Sequence, residues 1–229
     1  TETETESETE TEETTEEGTE GPGDPVDREK VEAHLIIASD THYMSPSMTD
    51  YGAAFDSLVN SNDGKVIRYQ PQLWQAFKSE VLAANPDALI LSGDLSLNGE
   101  KANHLEFSEK LHEIEEAGVP VYVIPGNHDI NKPDAGEYFG DQRTDVESVT
   151  SEEFREIYAD FGYNEAKSGA PDSLSYLVEL NDTTWLMMLD TTVCEPENEV
   201  YGEIKEGTLE WMEECLKEAY AEGITVIPV

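Results

Sequence analysis

Three short blocks concentrate the residues of this chain that can do chemistry: Asp40-Thr41-His42, Gly93-Asp94 and Gly126-Asn127-His128-Asp129. A carboxylate and an imidazole two residues apart, as in Asp40 and His42, share a face of an extended chain and can reach one cation. That mix of oxygen and nitrogen donors suits Mn, Fe or Zn better than Ca or Mg. Asp94 brings a carboxylate able to bridge two ions, and Asn127 an amide oxygen for the second. His128 can give a proton to a leaving oxygen, and Asp129 can hold that imidazole in the required tautomer. No Ser or Cys nucleophile with an adjacent base is evident, so the set points to chemistry carried by metal and water.

Each block sits where an apolar run ends. The runs Leu35-Ile36-Ile37-Ala38, Ala88-Leu89-Ile90-Leu91 and Val121-Tyr122-Val123-Ile124 are short, β-branched and nearly continuous, which is how strands buried on both faces read. Between them, Leu73, Trp74, Phe77, Val81 and Leu82 have helical spacing, opened by Pro71 and stopped by Asn85-Pro86. Residues 100–117 repeat the pattern with Leu105, Leu111 and Ile114 on one side, Gly118 as the stop and Pro120 opening the third strand. The order is β-α-β-α-β. It implies parallel strands with right-handed crossovers, and in such sheets ligands gather outside the carboxyl ends. Singly, each block is an ordinary turn or Asx-turn; their joint placement at successive strand ends is what argues for a site.

Residues 43–69 read as a polar insertion with turns at Pro46 and Gly64. Residues 131–172 read as a second insertion, interrupted by a helix-like segment around Phe154, Ile157, Tyr158 and Phe161. Residues 173–180 and 184–189 read as an antiparallel hairpin joined by Asn181-Asp182. A helix over 207–221, carrying Leu209, Trp211, Met212, Cys215, Leu216 and Tyr220, and a strand over 224–229 follow. The Trp185-Leu186-Met187-Met188 run, Trp211 and Met212 read as core. Cys194 and Cys215 lack metal-ligand spacing and leave open a disulfide or two buried thiols.

The 229 residues suffice for one domain with a substantial core. Residues 1–24 hold ten Glu, one Asp and no Lys or Arg, which leaves 41 acids against 13 bases on the remainder of a chain whose formal charge is −39. Such a field repels nucleic-acid backbones and anionic membranes, so duplex DNA or RNA is not expected as a partner. An anionic substrate needs metal to offset it. The opening Thr/Glu run has no hydrophobic side chain and is expected to be disordered. The expected division is therefore an acidic Thr/Glu-rich tail over 1–30 and one domain over 31–229. No stretch approaches the ~18 apolar residues of a membrane span.

The three blocks resemble those of the calcineurin-like metallophosphoesterases. The likeness rests on Asp40-x-His42, on Gly93-Asp94 followed by Asn98-Gly99-Glu100, and on Gly126-Asn127-His128-Asp129, and extends in layout over residues 31–229. It implies an α/β fold: a β-sandwich of two mixed sheets flanked by helices, carrying a dinuclear centre that hydrolyses phosphomonoesters or phosphodiesters. By this resemblance Asp40 and His42 bind the first metal, Asp94 bridges both, Asn127 binds the second, and His128 serves the transition state or leaving group. A metal-activated water is the nucleophile. Asn98, in the Asp94 loop, and His104, near the start of the next helix, stand behind that set as supporting groups. The stretch from Gly93 to Glu100 looks most like the branch labelled cyclic-nucleotide phosphodiesterase.

The family pattern continues, after a strand such as 224–229, with one His and later a His-x-His pair. This chain has five His, at 34, 42, 104, 112 and 128, and none after residue 128. The fold is accordingly expected to be incomplete at the C-terminus. The first ion keeps three protein ligands, the second only Asp94 and Asn127, so a weak second site and strongly reduced hydrolysis are expected. The alternative is a truncated, non-catalytic fragment that binds at most one metal, or that pairs with a chain carrying the missing segment. His34 and His112 read as surface residues. A Thr/Glu spacer ahead of a folded domain resembles the stalks of exported bacterial surface proteins, so an extracellular or cell-surface location is expected, with the cytoplasm as the alternative.

Overall fold

The computed structural model describes residues 26–61, 65–195 and 198–229. The elements along the chain are β1 (Leu35–Ala38), α1 (Ala53–Ser61), α2 (Gln70–Ala84), β2 (Ala88–Ser92), α3 (Lys101–Glu115), β3 (Val121–Ile124), β4 (Gly136–Phe139), β5 (Gln142–Asp145), α4 (Ser151–Ile157), β6 (Ser168–Gly169), β7 (Tyr176–Asn181), β8 (Thr184–Met188), α5 (Glu206–Glu222) and β9 (Thr225–Pro228). Of the acidic tail expected over 1–30, residues 1–25 lie outside the described residues, as does the turn expected at Gly64; residues 26–30 are tied to the domain, the Val26 N–H donating to the Ala221 carbonyl at 3.4 Å and the Lys30 ammonium to the Gly223 carbonyl at 2.7 Å.

The three apolar runs pair in parallel in the order β1-β2-β3, with Leu35 opposite Ala88 and Leu89 opposite Val121. The middle strand is buried from Ala88 to Leu91 and β3 along its whole length, as the unbroken apolar runs require. Two helices make the crossovers. Pro71 sits in the first turn of α2, and Asn85 ends it in the left-handed conformation. The face that α3 buries is His104, Phe107, Leu111 and Ile114, a 3-4-3 spacing, so Leu105 points to solvent rather than joining Leu111 and Ile114. By the same geometry Trp74 and Val81 of α2 are buried and Leu73 is exposed.

The second sheet runs β6-β7-β8-β9, antiparallel except for the parallel β8–β9 pair, and α5 connects those two strands. Its strands alternate. Leu177, Trp185 and Met187 meet Trp211, Cys215 and Ala219 of α5, whereas Tyr176, Val178, Leu186 and Met188 join β2 and β3 in the main core. The period of two thus places the second sheet between a helix and the first sheet. Tyr176 links the sheets directly: its hydroxyl donates to the Val123 carbonyl at 2.7 Å and accepts from the Val123 N–H at 3.1 Å. Cys194 and Cys215 are free, buried thiols. No helix among the described residues is long and apolar enough to cross a membrane.

Both insertions carry more structure than their polarity suggests. Residues 43–69 hold a helical turn at Pro46–Met48 and the helix α1, whose Phe55 packs with Met44, Met48 and Tyr138 in a small core of its own. Residues 131–172 hold the β4–β5 hairpin, missed because all four residues of β5 are exposed and polar. The helix-like segment ends at Ile157 and continues as a wider turn over Ala159–Tyr163. A capping box starts it, with Thr150 and Glu153 satisfying each other's backbone.

His104 is fully buried. Its Nε2 lies 2.9 Å from the Asp129 carbonyl, an acceptor only, so Nε2 carries the proton and Nδ1 accepts from the Tyr158 hydroxyl at 2.9 Å. Burial pushes its pKa down to about 4. The unfolded chain protonates this residue near pH 6.5 and the folded one only near 4, so stability is lost as pH falls through that window, by at most roughly 3 kcal/mol. His104→Gln keeps a donor for the carbonyl without the titration. The urea midpoint of the wild type is expected to fall relative to that variant between pH 7.5 and pH 4.5; a constant difference would remove His104 as the cause.

Candidate metal centre

Beyond the ends of β1 and β2 the two chains stay laced together. The N–H groups of Asp40, His42 and Tyr43 donate to the carbonyls of Gly93, Asp94 and Leu95 at 3.1, 2.9 and 2.8 Å. The Thr41 hydroxyl donates to the Leu95 carbonyl, and the Gln70 amide reaches over from α2 to the carbonyls of Thr41 and His42. Within this lacing Asp40, His42 and Asp94 all adopt positive φ, at 56°, 40° and 52°. Left-handed backbone costs a non-glycine residue about 1 kcal/mol or more, and it is concentrated here on three candidate ligands.

Those three side chains converge. His42 Nε2 lies 3.6 Å from Asp40 Oδ1 and 3.7 Å from Asp94 Oδ2, and one donor atom from each lies within 4.8 Å of the others. Ligands bonded to one cation at about 2.1 Å stand about 3.0–3.4 Å apart, so a small inward movement closes the set. No other such trio forms among the described residues. His42 is buried, and its Nδ1 makes no hydrogen bond. Burial first, and the charge of Lys65 second, lower its pKa, while Asp94 opposes. A neutral ring that offers Nε2 is the ligand form, so the donor set fits a transition-metal ion. The Asp40 side chain is 66% exposed and leaves one side of the set open.

The third block docks on the second through glycine. A side chain on Gly126 would meet Asp94 Oδ1 at 2.2 Å, and one on Gly93, itself at φ 101°, would meet Gly126 at 3.0 Å. This contact lets the His128 N–H donate to Asp94 Oδ1 at 2.9 Å, which leaves Oδ2 for His42 and the cation. Asn127 lines a hollow of about 420 Å³ together with Asp40, Asp94 and Tyr201. His128 Nδ1 lies 2.9 Å from Asn98 Oδ1 and 3.0 Å from the Leu97 carbonyl; it therefore carries the proton and leaves Nε2 free. The ring meets that of His42 edge to face, with centroids 4.9 Å apart. Burial, followed by Lys65, lowers its pKa.

Asp129 does not orient His128. Its carboxylate is fully buried and turned away from the ring, accepting from the N–H groups of Leu95, Ser96 and Gly126 and from the Ser96 hydroxyl. Burial pushes its pKa up to about 7 against those donors. The part expected of Asp129 falls to Asn98, and Asn98 is set by Glu100, whose buried carboxylate takes the Asn98 N–H and the Asn103 amide. His104 stands one step further back, on the Asp129 carbonyl. His34 is exposed at the far end of β1, and His112 stacks on Phe161 at 4.7 Å.

Lys65, which no motif marks, places its Nζ 3.5 Å from His128 Nε2 and close enough to Asp40 and Asp94 for their charge to raise its pKa against the lowering by burial. The available signal was scarcity, since Lys and Arg together number 13.

The sequence pattern of the calcineurin-like phosphoesterases matches residues 33–227, which span every residue of the centre. The chain belongs to this family. A search of curated proteins finds no match. Membership of this family implies a hydrolase acting on phosphoester bonds, and the Asp40–His42–Asp94 trio stands at the carboxyl ends of β1 and β2, where an α/β sheet places its ligands. In this calcineurin-like phosphoesterase Gly126→Ala must displace Asp94, whose carboxylate and backbone nitrogen would stand 2.2 and 2.3 Å from the added carbon. Calorimetric Mn²⁺ affinity is expected to drop at least about tenfold with the fold retained by circular dichroism, equivalent to ~1.4 kcal/mol; unchanged affinity would show that the close contact is dispensable.

Proposed function

We propose that this phosphoesterase hydrolyses small phosphoesters at a dinuclear centre, with one cation held by Asp40, His42 and Asp94 and a second, held more weakly, by Asp94 and Asn127. The observation that carries this reading is the convergence of three ligand atoms within 4.8 Å on strained backbone, with His42 Nε2 between two carboxylates. Divalent transition ions held by these residues activate water and offset charge on phosphate oxygens. The remaining work belongs to the chain. Asn98 and the Leu97 carbonyl fix the His128 ring so that Nε2 is turned toward Lys65, where it would take a proton from the attacking water and pass it to the leaving oxygen. Lys65 supplies the ammonium for a phosphoryl oxygen, in a chain whose net charge of −39 otherwise repels the substrate.

Of the ligands that the family pattern gives the second ion, this chain supplies Asp94 and Asn127, fewer than a closed site needs. Mn²⁺ titration of the full chain should therefore resolve one tight and one weak site above the background of the acidic segment, both lost in Asp94→Asn. Hydrolysis of bis-p-nitrophenyl phosphate should keep rising with Mn²⁺ well past saturation of the tight site. Binding that survives Asp94→Asn would overturn the assignment. Lys65→Met is expected to raise KM about tenfold with a smaller change in kcat, the loss of one charge-assisted contact; an effect on kcat alone would place Lys65 outside phosphate binding.

A further inference from the structure

Towards α2 the trio opens onto a cavity of about 520 Å³ that metal binding does not use. Asp40, Thr41 and His42 form one part of its lining, and Val66, Leu73, Trp74 and Phe77 form the apolar part. Trp74 is a fixed wall, packed edge to face on Phe107 with centroids 5.1 Å apart and against Phe77 at 5.7 Å. Val66 and Leu73 are 54% and 48% exposed. A single exposed aliphatic residue is unremarkable on any protein. Here two of them and two aromatic residues surround one hollow that opens on candidate metal ligands, on a chain that is otherwise strongly acidic.

The polar lining narrows what the cavity can take. Gln70 spends its amide N–H groups on the carbonyls of Thr41 and His42. Lys65 directs its ammonium to His128 Nε2, at the phosphate end. A charged group would therefore be desolvated against Val66, Leu73, Trp74 and Phe77, whereas an apolar ring, with at most one acceptor for the unpartnered Trp74 indole N–H, would not. An apolar cavity of about 150 Å³ already accommodates benzene, so this one has room for a two-ring system. Aromatic walls favour a ring over an alkyl chain of equal area, because ring pairs gain beyond burial.

We propose that this cavity is the leaving-group subsite and that the substrate is a phosphoester of a flat, apolar aromatic alcohol. The proposal rests on reading Asp40, His42 and Asp94 as the centre that takes the phosphate. It is tested by calorimetric titration of the Mn²⁺-loaded full chain with phenylphosphonate and with methylphosphonate, neither of which can be hydrolysed.

Phenylphosphonate is expected to bind at least about tenfold tighter. Trp74→Ala should bring the ratio close to one, and Leu73→Ser, at an exposed position that does not threaten the fold, should lower it several-fold. Trp74→Phe, which keeps the ring and removes a buried indole N–H without a hydrogen-bond partner, should preserve it. Mn²⁺ affinity should be unchanged in all three variants. Equal affinity for the two phosphonates, no binding of either, or a preference that survives both Trp74→Ala and Leu73→Ser overturns the proposal. A phenyl preference in a protein that hydrolyses no phosphoester supports the cavity assignment and sinks the hydrolytic reading alone; hydrolysis without the preference does the reverse.

Discussion

The buried carboxylate of Asp129 holds the centre together. One oxygen accepts from Leu95 N–H at 3.0 Å and Gly126 N–H at 2.8 Å, the other from the Ser96 N–H at 2.8 Å and the Ser96 hydroxyl at 3.0 Å. Without it three backbone donors in closed surroundings would lose their acceptor, at about 1–3 kcal/mol each. With it, the loops that follow β2 and β3 are joined into one body. Asp94 rides on that body, and the β1 loop carrying Asp40 and His42 is stitched to it by successive backbone hydrogen bonds. The Asp129 carbonyl extends the same body to α3 and α4 through His104 and Tyr158.

On this frame the chain holds an arrangement that the loops alone would not keep. Two carboxylates approach one imidazole nitrogen, three residues adopt left-handed backbone, and a buried ring nitrogen lacks a hydrogen bond. Each is a local cost, and all fall within one cluster. Concentrated costs of this kind are characteristic of preorganised sites, where rigid surroundings hold geometry that the segment alone would relax. The ammonium of Lys65 offsets part of the negative charge from the neighbouring side.

Much of this was legible in the sequence because three independent signals coincide. The apolar runs fixed β1, β2 and β3, the Pro and Asn punctuation fixed α2, and the blocks at the strand ends fixed Asp40, His42 and Asp94 as neighbours. Leu105 was grouped with Leu111 against the period itself: six residues put the two about 120° apart round a helix, so Leu105 falls off the stripe of His104, Phe107 and Leu111. The β4–β5 hairpin was hidden because β5 buries nothing, so no apolar alternation marks it. Asp129 was misread because adjacency in sequence suggests adjacency in role. At a tight turn successive side chains diverge, and His128 and Asp129 point to different partners. Lys65 and the cavity beside Trp74 arise from an insertion meeting a helix, a relation that no local pattern encodes.

The lacing of the three loops also dictates when the centre can come into being. Its contacts join residues far apart in sequence: the Thr41 hydroxyl meets Leu95 across 54 positions, and Leu95 meets Asp129 across 34. Parallel pairing cannot close through a short hairpin, so each contact awaits the formation and docking of an intervening helix. During synthesis Asp40 and His42 emerge long before the carboxylate of Asp129 that fixes their surroundings. The nascent chain therefore carries isolated donors until β3 and the loop after it have docked, and any ion capture must follow that step.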